Sequence, residues 1–322
     1  MIRLHAKIML LPSCKRDEAN AGYAEKILID ISAAFGHTFS LMRGKIGEKS
    51  IAASGEALTD ETVEACQQCQ AVFVCDAAAE GLQELFDALD LPLSIRSCCV
   101  PVSLCGRHEK PVSLFVGTAL SLDEETLRQA MRVAFLFSQE EDVRLCPIAP
   151  TGSAKADWEA AVRVQEAIFS QISASPLSAP EAISAMIASP ERAGLLLCPP
   201  YAGSIFTAAA TALCNHPSVI NDLALDESIG IFAPYLPPDE EVPSPVTAAL
   251  ATAKMLRYSL RLAREAACVE AAVNNVLSSG WRVRQNENAG DAAIAAQGML
   301  ELIGEQITVA GELMHRGGLT AE

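Results

Sequence analysis

An α/β protein in two lobes, with mixed sheets flanked by helices, is the fold class this sequence predicts, on three observations. Strand-like and helix-like periodicities alternate along most of the chain, the mark of crossover units built around a sheet. At 322 residues, half of them hydrophobic and a fifth charged, the chain can bury a large core and is long for one compact unit. A segment dense in proline and acid at 232–245, FAPYLPPDEEVPSP, reads as an exposed loop crossing between lobes.

The elements follow in order. An apolar run at 3–11 is the first strand; it enters Leu11-Pro12 and a loop, Ser13 to Glu18, that holds no glycine. A helix at 20–35 places Tyr23, Ile27, Ile31 and Ala34 on one stripe. A helix at 60–70 precedes strands at 71–75, 94–104 and 112–116. The helix at 123–138 carries Leu127, Met131, Ala134 and Phe135 on its apolar stripe, and Ser121 with Glu124 has the spacing of a capping box at its start. A strand at 143–148 follows, then a second capping box, Ser178 with Glu181, and a strand at 194–198. After the proline-rich loop come three helical stretches rich in alanine and leucine, 246–264, 265–279 and 289–314. No internal repeat is visible.

Composition excludes several functions. The formal charge of −16, with no basic run against it, repels phosphate backbones and anionic membranes, so nucleic acid is not a partner. No stretch reaches the ~18 uninterrupted apolar residues that a membrane helix needs, and no membrane role is expected. The first apolar stretch runs into Cys14-Lys15-Arg16 without a small-residue cleavage site, so the protein is expected to be cytoplasmic. Eleven cysteines in such a chain read as reduced, mostly buried side chains. Cys66 and Cys69 form a CxxC near a helix end with no second pair or histidine cluster to complete a metal site, and adjacent Cys98 and Cys99 face opposite sides of a strand. His108, His216 and His315 lack a second ligand type at metal-site spacing. The acidic runs Asp17-Glu18 and Glu140-Glu141-Asp142 read as solvated faces.

Five phrases carry a resemblance: FGHTF (35–39), SGEALTDETVEAC (54–66), RVAFLFS (132–138), SPVTAALATAKMLRYSL (244–260) and EAACVEAAVNNVLSSGWRV (265–283). In this order the chain resembles the isopropylmalate and isocitrate dehydrogenase family, most like its isopropylmalate branch. The resemblance implies a two-lobed subunit in which 1–100 plus 230–322 form a first, cofactor-type lobe and 101–229 a second, substrate- and dimer-type lobe. It also implies a dimer and an NAD-dependent oxidation and decarboxylation of a 2-hydroxy acid assisted by magnesium or manganese.

That chemistry needs oxygen ligands for the cation and a titratable group at the substrate. Laid on the family pattern, its three metal-binding aspartates fall on Pro180, Ser204 and Ala208, its lysine on Ile148 and its tyrosine on Phe115. Of three arginines that clamp substrate carboxylates, the first falls on Phe86 and the third near Arg107 or His108, while the middle one is kept as Arg96. The turn that wraps the adenosine half of NAD becomes APYLPPD, with Ala233 for its glutamate and Leu236 for its histidine; Pro234 and Asp239 remain. Tyr201, beside Pro199-Pro200, falls in the cofactor-side loop. In the turn after the first strand every family glycine has gained a side chain, giving Ser13 to Ala19, which reads as a solvated connection. The inserted arm that follows the tyrosine strand is missing, since Gly117 leads almost directly to Ser121.

The expectation is a catalytically silent homologue with a binding, regulatory or scaffold role. No catalytic residue, metal ligand or cofactor is assigned, NAD and Mg or Mn being the family's. Arg96 is the candidate site for a small anionic ligand, and a homodimer or a heteromer with an active paralogue is the candidate assembly. The alternative is an active enzyme: either an NAD-dependent 2-hydroxy-acid oxidative decarboxylase, or altered chemistry in the interlobe cleft with Cys14, Cys146 or Cys198 as nucleophile. Lys15 and Arg16 would activate Cys14 in that reading.

Overall fold

The computed structural model describes residues 3–104, 112–237, 243–283 and 293–317, with side chains to 313. Arg107, His108 and Asp239 lie outside the described residues, as does the His315 side chain. In chain order the first segment runs β1 (His5–Leu11), α1 (Glu18–Phe35), β2 (Thr38–Arg43), α2 (Glu48–Ser54), α3 (Asp60–Gln67), β3 (Ala71–Val74) and α4 (Leu82–Ala88). The middle segment holds β4 (Leu93–Val100), β5 (Val112–Ala119), α5 (Glu124–Glu140), β6 (Leu145–Pro147), α6 (Ala154–Ile168), α7 (Ala179–Ala188), β7 (Gly194–Cys198), α8 (Pro200–Cys214) and β8 (Ile220–Leu225). The last holds β9 (Gly230–Pro234), α9 (Pro245–Tyr258), α10 (Ala263–Ser278), β10 (Arg282–Val283), β11 (Ala293–Ile294) and α11 (Ala296–Gly317).

Two compact units result: 1–89 with 228–322, and 90–227. In the first unit, β2, β1, β3 and β9 pair in that order, all parallel. Strands covered on both faces read as unbroken apolar runs, and β3 and β9 are buried at every position. Over them lies α9, buried nearly all round, packed against β9, α1, α10 and α11. In the second unit β4 pairs antiparallel with β8 on one edge and β5 on the other, and β7 and β6 continue parallel to β5. Both units are α/β, and the sheet of the second is mixed.

Several expectations need correction. The boundary set at 100/101 falls at 89/90, because both edges of β4 are paired inside the second unit. The start of the 232–245 segment is no loop: Gly230–Pro234 is a buried strand that pairs with β3, and the irregular chain begins at Tyr235. The N-cap of α5 is Asp123, whose carboxylate accepts from Thr126 N–H at 3.0 Å, while the Ser121 hydroxyl accepts from Asp123 N–H. The box at Ser178 and Glu181 forms as spaced. On α1 the buried stripe is Ala24, Ile27, Leu28, Ile31 and Phe35, with Tyr23 and Ala34 at its half-buried flanks. The 246–264 stretch breaks after Tyr258, where Arg261 adopts φ 56° before α10 begins.

Candidate functional site

In open α/β sheets ligands bind outside the carboxyl ends of the strands, so the first unit is best searched there. Three chain segments leave β1, β3 and β9 at that edge and meet. The β1 turn carries Ser13, Cys14, Arg16 and Asp17; β3 runs into Cys75 and Asp76; β9 leads to Pro237. Arg16 joins all three, with Nη2 3.3 Å from Asp76 Oδ2 and Nη1 donating to the Pro237 carbonyl at 3.2 Å. The Ala77 N–H donates to the Pro234 carbonyl, and Asn20 Nδ2 to that of Cys75.

The β1 turn has the donors that an anion would use, but its own chain takes them. Asp17, 0% exposed, accepts from Ser13 N–H at 2.9 Å, from the Ser13 hydroxyl at 2.6 Å and from Cys14 N–H at 3.1 Å. A buried carboxylate must be met by donors in this way. The expectation of a solvated connection is wrong at this residue. Glu18 beside it is exposed and pairs with Lys49 at 2.9 Å. Asp76 is also buried, and burial holds its carboxyl above the ordinary carboxylate value even though the Ala78 N–H and Arg16 favour its charge.

Two of the cofactor-turn positions lie at this edge. Ala233 lies buried within β9, and Leu236, beyond its end, is buried too, so neither offers a polar side chain where the family has glutamate and histidine. Phe86, on α4, is also buried.

In the second unit, Arg96 sits on β4 directly opposite Asp222 of β8. Its Nε donates to Asp222 Oδ1 at 2.6 Å and its Nη2 to Oδ2 at 2.5 Å, a fork-on-fork pair, while Nη1 donates to the Thr211 hydroxyl of α8 at 2.8 Å. The Arg96 side chain, 13% exposed, is thus met by a carboxylate and a hydroxyl from its own unit. Sequence reading singled out Arg96 but not Asp222 or Thr211. Only the opposition of β4 and β8 could have pointed to Asp222, and β8 was not foreseen.

The remaining family positions divide into core and surface. Ile148 is buried and bridges to Leu177; Phe115 is buried and meets the Phe137 ring edge-on at 5.1 Å. Pro180 stands in the first turn of α7, and Ser204 and Ala208 on the exposed face of α8. Magnesium and manganese require several oxygen ligands, and a proline, a hydroxyl and a methyl do not supply them. Among the described residues no three His, Cys, Asp or Glu side chains gather as a metal site. Tyr201 lies in the first turn of α8, where its phenol oxygen accepts from Thr151 N–H at 3.1 Å.

The thiols proposed as nucleophiles are poorly placed for that work. Burial pushes Cys198 up to about 12 and raises Cys146, with Arg144 opposing at the latter. Cys14 is half-buried, and its N–H is held by Asp17. In the CxxC, burial raises both thiols, Cys66 to about 12, and Cys69 donates to the Ala65 carbonyl at 3.3 Å.

With this geometry in place, comparison with known proteins is informative. No family model matches the chain. The 3-isopropylmalate dehydrogenase of Oleidesulfovibrio alaskensis is 24% identical over 88% of this chain and 94% of its own length. That of Nitratidesulfovibrio vulgaris is 24% identical over 94% and 100%. Among solved structures, isocitrate dehydrogenase from Methylococcus capsulatus superposes with a TM-score of 0.76 at 15% identity, covering 94% of this chain and 99% of that one. The TT0538 protein of Thermus thermophilus superposes at 0.77 and 15%, over 94% and 68%. The resemblance read from the sequence is borne out: along most of its length the chain is similar to 3-isopropylmalate dehydrogenases, and it has the isocitrate dehydrogenase-type fold.

Proposed function

We propose that the protein is a catalytically silent isopropylmalate dehydrogenase-like protein, working in the cytoplasm as a binding, regulatory or scaffold subunit. One observation carries the reading: every position at which the family keeps a metal ligand or an acid–base group is filled here by a side chain that cannot do that work. Pro180, Ser204 and Ala208 offer no carboxylate, and Ile148 and Phe115 are buried in the apolar core. Loss of any one of these would suffice to stop proton transfer or enolate stabilisation. The β1 turn supports the same reading, because Asp17 already satisfies the donors that a cofactor would need.

On this reading neither NAD nor magnesium or manganese is a resident cofactor. Arg96 serves the fold through Asp222 and Thr211, and no small anion is assigned to it. The working assembly is a homodimer or a heteromer with an active paralogue. The test is turnover by the pure full-length chain given NAD, manganese or magnesium, and isopropylmalate, isocitrate, malate or tartrate. No NADH above the protein-free blank is expected; NADH formation that a chelator abolishes would overturn the proposal.

A further inference from the structure

The CxxC has no third ligand near it in the sequence, and the fold brings one from β2. Cys66, in the last turn of α3, is 0% exposed; Cys69, 6% exposed, follows in a turn closed by its N–H on the Cys66 carbonyl at 2.9 Å. The Cys69 sulfur lies 3.8 Å from Met42 Sδ. Two sulfurs that share one ion at a metal–sulfur length of ~2.3 Å and a tetrahedral angle stand ~3.8 Å apart, so this pair already has the spacing of two ligands.

Cys66 comes to the same place by a separate route. Met42 pairs in register with Met9, and side chains paired across parallel strands share one face of the sheet. A Cβ on Gly44 would stand 3.3 Å from Met9 Sδ and 3.7 Å from Thr62 Cγ2, so the side of α3 that carries Thr62 covers that face. Cys66, one turn on from Thr62, lies on the same side and is the residue that α3 buries.

We propose that Cys66, Cys69 and Met42 form a binding site for copper(I), outside the β1 turn and the Arg96 group and independent of the silent-homologue reading. The donor set selects the metal. Two thiolates and a thioether are soft ligands of the kind copper(I) takes, whereas zinc sites use thiolate, imidazole or carboxylate, and magnesium and manganese take oxygen. Met42 is half-buried on β2, which among the described strands pairs with β1 alone, and this gives the ion a path in from the edge of the sheet. Met9, 1% exposed, lines the same face from β1.

On binding, each thiol gives its proton to water. Copper(I) gains two bonds from the thiolates and a dative bond from the Met42 thioether, no electron is transferred, and the complex keeps a single net negative charge. Lys7, exposed and two residues before Met9 on the same face of β1, places a positive charge near Cys69, where it opposes the rise that burial imposes on that thiol. Burial pushes Cys66 up to about 12, so at neutral pH the metal must displace both protons. Affinity therefore rises with pH, by about 100-fold per pH unit for two protons.

The experiment gives the reduced full-length chain, without oxygen, copper(I) as its acetonitrile complex, with bicinchoninate as competitor. The wild type should withdraw one equivalent of copper from the coloured bicinchoninate complex, and hold it more tightly as pH rises. X-ray absorption at the copper edge of that complex should count three sulfurs. Cys66→Ser with Cys69→Ser should lose the equivalent and Cys14→Ser should keep it. Met42→Leu, which keeps bulk at a half-buried position, should bind more weakly and show two sulfurs at the metal. The wild type and Met42→Leu decide between them even where the double variant does not fold. Failure of the wild type to withdraw copper would overturn the proposal, as would an equivalent retained by the folded double variant or lost in Cys14→Ser. So would a copper site that Met42→Leu leaves unchanged.

Discussion

At the scale of single residues, two buried carboxylates in the β1 and β3 turns behave in opposite ways. Asp17 is fully met, by three donors from Ser13 and Cys14. Asp17→Ala would leave those buried donors unpaired and should cost about 2–4 kcal/mol of unfolding free energy, read from urea denaturation. Asp17→Asn keeps one acceptor oxygen and should cost roughly half as much. A loss within error for both would show that water replaces the carboxylate and that the turn is open to ligands. Asp76 is under-compensated: burial raises its carboxyl despite Arg16. Its folded value thus lies above its unfolded one, so its contribution to stability is full below the unfolded pKa and lost as pH rises through the folded pKa. Asp76→Asn, neutral throughout, removes that slope. The unfolding free energy of the wild type minus that of the variant should fall as pH rises from acid toward neutral. A difference that stays flat would mean that Arg16 fully offsets burial. Neither carboxylate was legible from the sequence, where Asp17 stands in a charged run and Asp76 beside a plain turn; nothing in local composition marks an acid as internal.

At the scale of elements, legibility followed how much each one depends on distant partners. Strand β7 was placed at its observed bounds, because a five-residue apolar run between a turn and Pro199-Pro200 fits little else. Strand β9 was lost to its own prolines, for the sequence FAPYLPP reads as loop until β3 is there to pair with it. The α5 cap was misplaced by two residues because Ser121 and Asp123 are both good N-caps, and the winner is decided by where the chain leaves β5. Helix α8 shows the same dependence in its packing. Gly203→Ala would place a Cβ 2.2 Å from the Thr118 oxygen and 2.4 Å from its methyl. This overpacking should cost about 1–3 kcal/mol in thermal or chemical denaturation. Thr118→Ala removes both of those atoms and leaves only its Cβ, at 2.8 Å, so the double variant should cost less than the sum of the singles. Strict additivity would mean that α8 does not rest on β5 at this point.

At the scale of the molecule, the fold class and the family resemblance were legible because both are written along most of the chain. The alternation of elements survives in each unit. The functional site is different in kind: a handful of positions scattered over β5, β6–α6, α7 and α8 must all be right at once. The separation can be tested by restoring one part of it. Ser204 and Ala208 are both exposed and one helical turn apart, so Ser204→Asp with Ala208→Asp would stand two carboxylates side by side on α8. Those carboxylates are oxygen ligands of the kind manganese takes, and manganese should raise the melting point of the double variant, by mass action, and not that of the wild type. NAD-dependent turnover should stay absent, since Ile148 and Phe115 still leave the substrate position without a proton-transfer group and both are packed into the core. The fold would then have regained a metal site without its reaction, as expected if the scaffold is retained for its own sake. Metal-dependent NADH formation by this variant would instead show that carboxylates alone had been missing, and that the rest of the catalytic apparatus lies in residues other than those the family pattern names.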